Sequence, residues 1–190
     1  MIKINTRQKL LKATMELVNE FGLHNTPTSK IAKAAGFSEA TIYKNFSSKD
    51  ELIIEVYLEI KTDLNQAFSV GVDYSIAFEE RTKKALTNYL NYFLSHPDEL
   101  MYFLQFSNSF YMNKVVHEMG KTKLEYVNQY ITENIEKGYI KNMPFAFYEA
   151  FVNAPILEVA RACHMGGLEI SDELTEMVIA NVIDIMLVDK

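Results

Sequence analysis

Apolar residues recur along the chain at spacings of three and four, and no stretch sustains an alternation of period two. This pattern predicts helices throughout. Leu10, Leu11, Met15, Leu17 and Val18 mark the buried side of a first helix over about residues 5–21, ended by Gly22. Thr26 and Pro27 read as the N-cap and first position of a short second helix reaching Ala35. Gly36 stands where a tight turn needs a positive φ. Ser38 reads as the N-cap of a third short helix that ends at Asn45 or Phe46. Ser48 and Glu51 have capping-box spacing, with Glu51 expected to reach back to the Ser48 amide, and they open a long fourth helix to about Ser69.

Glycine and proline divide the remainder. A fifth helix is predicted over about 75–94, a sixth over 98–107 and a seventh over 113–137, ending at Gly138. After a loop to Pro144, an eighth covers about 145–164, with Pro155 as a kink point. Gly166 and Gly167 separate it from a ninth over about 172–188. The expected fold is all-α: a three-helix head over residues 1–47 and a six-helix body over 48–190.

At 190 residues, 48% hydrophobic and 23% charged, the chain can bury a full core without staples. Cys163 is the sole cysteine, which excludes a disulfide framework and fits a reducing cytoplasm. No apolar run approaches the ~18 residues that span a bilayer. The charged, amphipathic N-terminal stretch is not expected to act as a signal peptide. Charge is distributed unevenly. Residues 1–50 hold eight Lys/Arg against four Asp/Glu, a net +4, and the rest holds eleven against twenty-one, a net −10. A basic head on an acidic body suggests an anionic partner for the head alone.

The segment Thr28 to Phe46 has helix-turn-helix chemistry. Ala32 and Ala35 let two short helices approach, Gly36 supplies the turn, and Ile31, Phe37 and Ile42 face inward. Ser38, Glu39, Ala40, Thr41, Tyr43, Lys44 and Asn45 are left facing outward on the third helix. These are short, hydrogen-bonding or cationic side chains, as contacts with base edges and phosphates require.

In these residues the chain resembles the TetR family of bacterial transcriptional repressors. The resemblance runs through Phe21-Gly22, Thr26, Ile31-Ala32, Ala34-Ala35-Gly36, Ser38, Thr41-Ile42-Tyr43, Phe46 and Ser48-Lys49-Asp50-Glu51-Leu52, about a quarter of the chain. The nine-helix count and the Gly138-Tyr139-Ile140 turn fit the same family. The resemblance implies double-stranded DNA as partner, with Thr26, Thr28 and Tyr43 giving hydroxyls to phosphates and Lys44 and Lys49 contacting the backbone as charges. Ser38, Glu39, Ala40 and Thr41 are then the candidates for base edges. Ala40 or the Thr41 methyl suits a thymine methyl, and Glu39 suits a cytosine amine. Glu39 keeps an alternative reading as a capping or solvated carboxylate, Tyr43 as a packing residue, and the lysines as solvated charges.

The resemblance also implies a small effector, bound between the fourth and eighth helices, that lowers DNA affinity. The body is rich in aromatic residues, most of which serve the core. Tyr57, Tyr89, Phe93, Phe106, Phe110, Tyr148 and Phe151 are the candidates to line an apolar pocket. Val152, Ile156, Val159 and Ala160, with Leu174, Met177, Val178, Asn181, Val182, Asp184, Ile185 and Met186, offer surface for a homodimeric four-helix bundle. A twofold dimer sets its recognition helices about 34–36 Å apart and calls for a near-palindromic operator.

No Gly-rich phosphate loop, His-Glu-x-x-His run or nucleophile elbow occurs, and His24, His96, His117 and His164 are scattered. Neither catalysis, a cofactor nor a bound metal is expected. The alternatives are an activator or dual regulator on the same fold, and a helical ligand-binding protein whose head has lost DNA binding.

Overall fold

The computed structural model describes residues 5–115 and 131–188. Those residues are helical and contain no strand, only an isolated antiparallel bridge between Ile140 and Leu187. The order is α1 (Thr6–Phe21), α2 (Thr28–Ala35), α3 (Glu39–Asn45), α4 (Lys49–Ser69), α5 (Phe78–Ser95), α6 (Pro97–Ser107) and α7 (Phe110–Lys114). After a helical stretch over 131–136 come α8 (Phe145–Tyr148), α9 (Ala154–His164) and α10 (Asp172–Met186). The all-α fold class expected from the periodicity is what the chain adopts. The seventh helix begins at Phe110 rather than Asn113, and residues 116–130 of that expected helix lie outside the described residues.

By packing, the chain divides into two compact units. One comprises Met1–Asp63 and Asp98–Val115, the other Leu64–Pro97 and Val116–Lys190. The first therefore takes in more than the head expected at residues 1–47. Its core holds Leu10, Leu11, Val18, Ile31, Ile42 and Phe46, continuing into Leu52, Ile53 and Tyr102. The buried Tyr102 hydroxyl donates to the Ile53 carbonyl at 2.7 Å, and burial pushes its pKa well above the usual phenol range.

In the second unit α5 packs against α9 and α10. Between α8 and α9 the residues Glu149–Asn153 form one π turn, in which the Ala154 amide donates five residues back to the Glu149 carbonyl. Pro155 has no amide hydrogen to give the carbonyl four residues before it, so the α register cannot continue through this point. The sequence predicts a kink at Pro155. At that point the helix takes up the missing donor as a wider turn, just before Pro155.

Two caps differ from their sequence expectation. The N-cap of α2 is Pro27, not Thr26, and α2 begins at Thr28. At α4 the Ser48 hydroxyl accepts from the Glu51 amide at 3.1 Å as expected. The Glu51 carboxylate reaches one residue further than expected, accepting from the Ser47 amide at 2.5 Å and also from the Ser47 hydroxyl. Those bonds hold the Glu51 carboxyl below the usual range.

Candidate nucleic-acid interface

The candidate surface is built on the turn between α2 and α3. Gly36 adopts φ 79°, and the Phe37 amide bonds the Ala32 carbonyl at 2.8 Å, closing the C-terminal end of α2. A Cβ at Gly36 would meet nothing within 4 Å. Glycine is therefore required by the left-handed backbone and not by space.

Beyond this turn α3 is anchored on its inner side. Ile42 and Phe46 are buried against the core. The Arg7 guanidinium from α1 lies over the Phe46 ring, 5.0 Å from its centroid, and pairs with Glu55 of α4 at 2.6 Å. Arg7 thus ties α1, the end of α3 and α4 together, a role that sequence reading missed because its partners lie 39 and 48 residues away.

The outer side carries most of the expected contact residues. Ser38, Glu39, Ala40, Tyr43 and Lys44 are exposed, Tyr43 to 55%, and Thr41 is half-buried. The hydroxyls of Ser38 and Thr41 lie 3.1 Å apart. Asn45 is half-buried and donates its amide to the Thr41 carbonyl at 2.7 Å. Lys49 is half-buried at the start of α4, with its ammonium 3.3 Å from the Leu23 carbonyl.

Thr26 is placed differently from the expectation. It is fully buried, and its hydroxyl faces the carbonyls of Gly22 at 2.9 Å and Leu17 at 3.2 Å. It clamps the end of α1 and presents no hydroxyl to a phosphate. Thr28 is half-buried, and its hydroxyl donates to the Glu39 carboxylate at 2.6 Å. Two side chains assigned to different parts of DNA are thus bonded to each other.

A further cluster lies beside this surface. Lys114 of α7 forms an ion pair with Asp50 in the first turn of α4. The Lys114 hydrogen bond, reinforced by Tyr111 and opposed by burial, holds the Asp50 carboxyl below the usual range. Burial and the adjacent Asp50 push the Tyr111 phenol up.

The candidate effector residues fall into two groups. In the first unit Tyr57 stacks on Phe106 with centroids 4.3 Å apart, so each ring occupies a face of the other, while Phe110 is 64% exposed. In the second unit Tyr89 meets Phe93 edge-on at 5.4 Å, and its hydroxyl bonds the Asn153 side chain on the π turn. Tyr148 is buried and bonds the Lys141 carbonyl through its hydroxyl. Phe151 is nearly half exposed beside Phe147, 5.5 Å away. Glu149 and Glu158 are exposed and engage Asn153 and Arg161 respectively.

No helix among the described residues is long and apolar enough to cross a membrane. Among those residues no group of three or more His, Cys, Asp or Glu side chains is placed to hold a metal.

The sequence profile of the bacterial regulatory proteins of the tetR family matches residues 10–56, from the first buried leucine of α1 into α4. An uncharacterized HTH-type transcriptional regulator of Bacillus subtilis, YhgD, is 25% identical over 142 residues, 74% of each chain. A fatty acid metabolism regulator protein of the same organism is 24% identical over 136 residues, 70% of each. The crystal structure of a TetR family transcription regulator from Marinobacter aquaeolei VT8 superposes with a TM-score of 0.82 at 26% identity. That match covers 96% of this chain and 95% of the other. These relatives are regulators and not enzymes. The profile match falls on the helices that build the exposed face of α3, and the structural match extends over the rest of the chain. The chain thus carries a tetR-type regulatory region over residues 10–56 and is similar over nearly its whole length to a TetR family transcription regulator.

Proposed function

We propose that the protein is a homodimeric cytoplasmic repressor that reads a near-palindromic operator with α3 and is released by a small, largely apolar or aromatic effector. Residues 1–47 are its DNA-reading head, and residues 48–190 carry effector binding and dimerisation. One observation carries the reading. The polar and cationic side of α3 is exposed while Ile42 and Phe46 on its other side are buried, so the helix is held with its polar side outward. Tyr43 and Lys44 hold phosphates from this helix, Lys49 adds a charge from α4, and Ser38, Glu39, Ala40 and Thr41 face the bases.

The dimer reading is supported by α10. Ile179, Val182, Ile183 and Met186 are buried within the chain. Met177 and Ile185 stay 53% and 40% exposed, and the half-buried Leu174 and Val178 lie along the same side. The effector reading is supported by the aromatic side chains of the second unit, Tyr89, Phe93, Tyr148 and Phe151. The relative that regulates fatty acid metabolism favours the apolar end of the effector range.

Salt titration of duplex binding tests the reading. Each neutralised phosphate contributes a slope of about −0.9 to log K against log salt. Lys44 and Lys49 on two heads then give a slope of roughly −3 to −4, and Lys49→Ala reduces its size by about 2. Binding that is independent of salt contradicts a DNA-reading head.

A further inference from the structure

The strongest unassigned feature is the bond between the Thr28 hydroxyl and the Glu39 carboxylate, 2.6 Å long and linking α2 to α3. A threonine hydroxyl has a single hydrogen to donate. While Thr28 donates to Glu39, it has none for a phosphate. Glu39 is exposed, and among the described residues its second carboxylate oxygen has no hydrogen-bond partner. The carboxylate is therefore tethered at one oxygen and open at the other.

We infer that Thr28 is a positioning residue, holding the Glu39 carboxylate so that its free oxygen accepts from a cytosine amine in the major groove. A carboxylate only accepts, and among the major-groove edges cytosine presents a lone amine donor. Guanine offers two acceptors and thymine an acceptor and a methyl, both adverse to a carboxylate. Adenine pairs its amine with an adjacent acceptor, so it matches less well. A free glutamate side chain loses considerable rotamer freedom on being fixed. The Thr28 bond removes part of that freedom before DNA arrives, and it keeps the carboxylate from swinging towards phosphates. Specificity at one position of each half-site thus depends on a residue of α2 that touches no base.

The inference rests on the proposed operator reading, and the test separates the two. Duplexes are selected from a random pool by the wild-type protein and by Glu39→Gln, Thr28→Val and Thr28→Ser. Preference at each position is scored as a ratio between bases, so the charge lost in Glu39→Gln does not enter. The wild-type protein should enrich cytosine at one position of each half-site. Glu39→Gln should lower that preference roughly tenfold. Thr28→Val should lower it at least about threefold at the same position, and Thr28→Ser should retain it. Preferences at positions read by Thr41 should not change in any of the three.

Three results overturn the inference. In the first, Thr28→Val weakens all duplexes equally with cytosine preference intact, which marks a phosphate contact. In the second, Glu39→Gln leaves every position unchanged. In the third, the two variants act at different positions. Failure of the wild-type protein to enrich any sequence overturns the operator reading together with the inference. Matching thermal melts of the four proteins exclude loss of folding as the cause.

Discussion

At the scale of single residues, similar side chains near one another take different parts. Thr26 and Thr28 are two positions apart, and the sequence offers both as phosphate donors. Burial separates them, because Thr26 closes the end of α1 while Thr28 sits on the surface beside Glu39. No local pattern reports this, since it depends on where the α1 carbonyls lie. Tyr43 was legible: a tyrosine next to the inward Ile42 on a short helix has to face away from the core, and it is more than half exposed. Tyr43→Phe removes one hydroxyl donor and no packing. It should weaken binding to all duplexes by about 1–2 kcal/mol, roughly five- to thirtyfold, without altering base preference, as titrations on several unrelated duplexes will read. A change in preference instead would place Tyr43 on a base.

At the scale of elements, periodicity and punctuation located most helices to within a few residues, because burial on one side and glycine at the ends are local signals. What they left out are links between distant segments. The Arg7 brace over Phe46 is one. Phe46→Ala empties a buried site at the end of α3 and should cost about 3–5 kcal/mol of stability, read by chemical denaturation. The Asp50–Lys114 pair is another, joining positions 64 residues apart. Its sign with pH is fixed by the depressed Asp50 pKa. Stability from the pair is present above the unfolded carboxylate pKa of about 4 and is lost as pH falls through the lower folded value. Lys114→Met should therefore lower the thermal midpoint at neutral pH and flatten its decline below about pH 4. Parallel acid profiles for the two proteins would show that Lys114 does not set the Asp50 pKa. The π turn is a third case. Pro155 announces a disturbance, but whether a helix bends or widens depends on what packs around it.

At the scale of the whole molecule, fold class was legible because a sequence without sustained alternation has few options other than packed helices. A head over residues 1–47 and a body over 48–190 are what the change of charge and the helix-turn-helix pattern predict. Packing groups the chain differently, placing Asp98–Val115 with the first 63 residues, and such a long-range return leaves no mark in local composition. The exposed apolar side of α10 is the proposed dimer surface, so Met177→Glu combined with Ile185→Glu should yield folded monomers in sedimentation experiments while leaving the buried Ile179 and Ile183 in place. A persistent dimer would move the interface elsewhere. For effector release, Phe151→Ala should leave operator affinity unchanged without ligand and raise the effector concentration needed for half-release. A normal release curve would remove Phe151 from the effector site.

The measurement that tests the central claim most directly is selection of bound duplexes from a random pool by the purified wild-type protein, with no ligand added. The account expects enrichment of a near-palindrome whose half-sites are centred about one helical turn apart, matching two recognition helices on a twofold dimer. Recovery of no enriched sequence, under low-salt conditions that favour binding, would contradict a DNA-reading head on this chain.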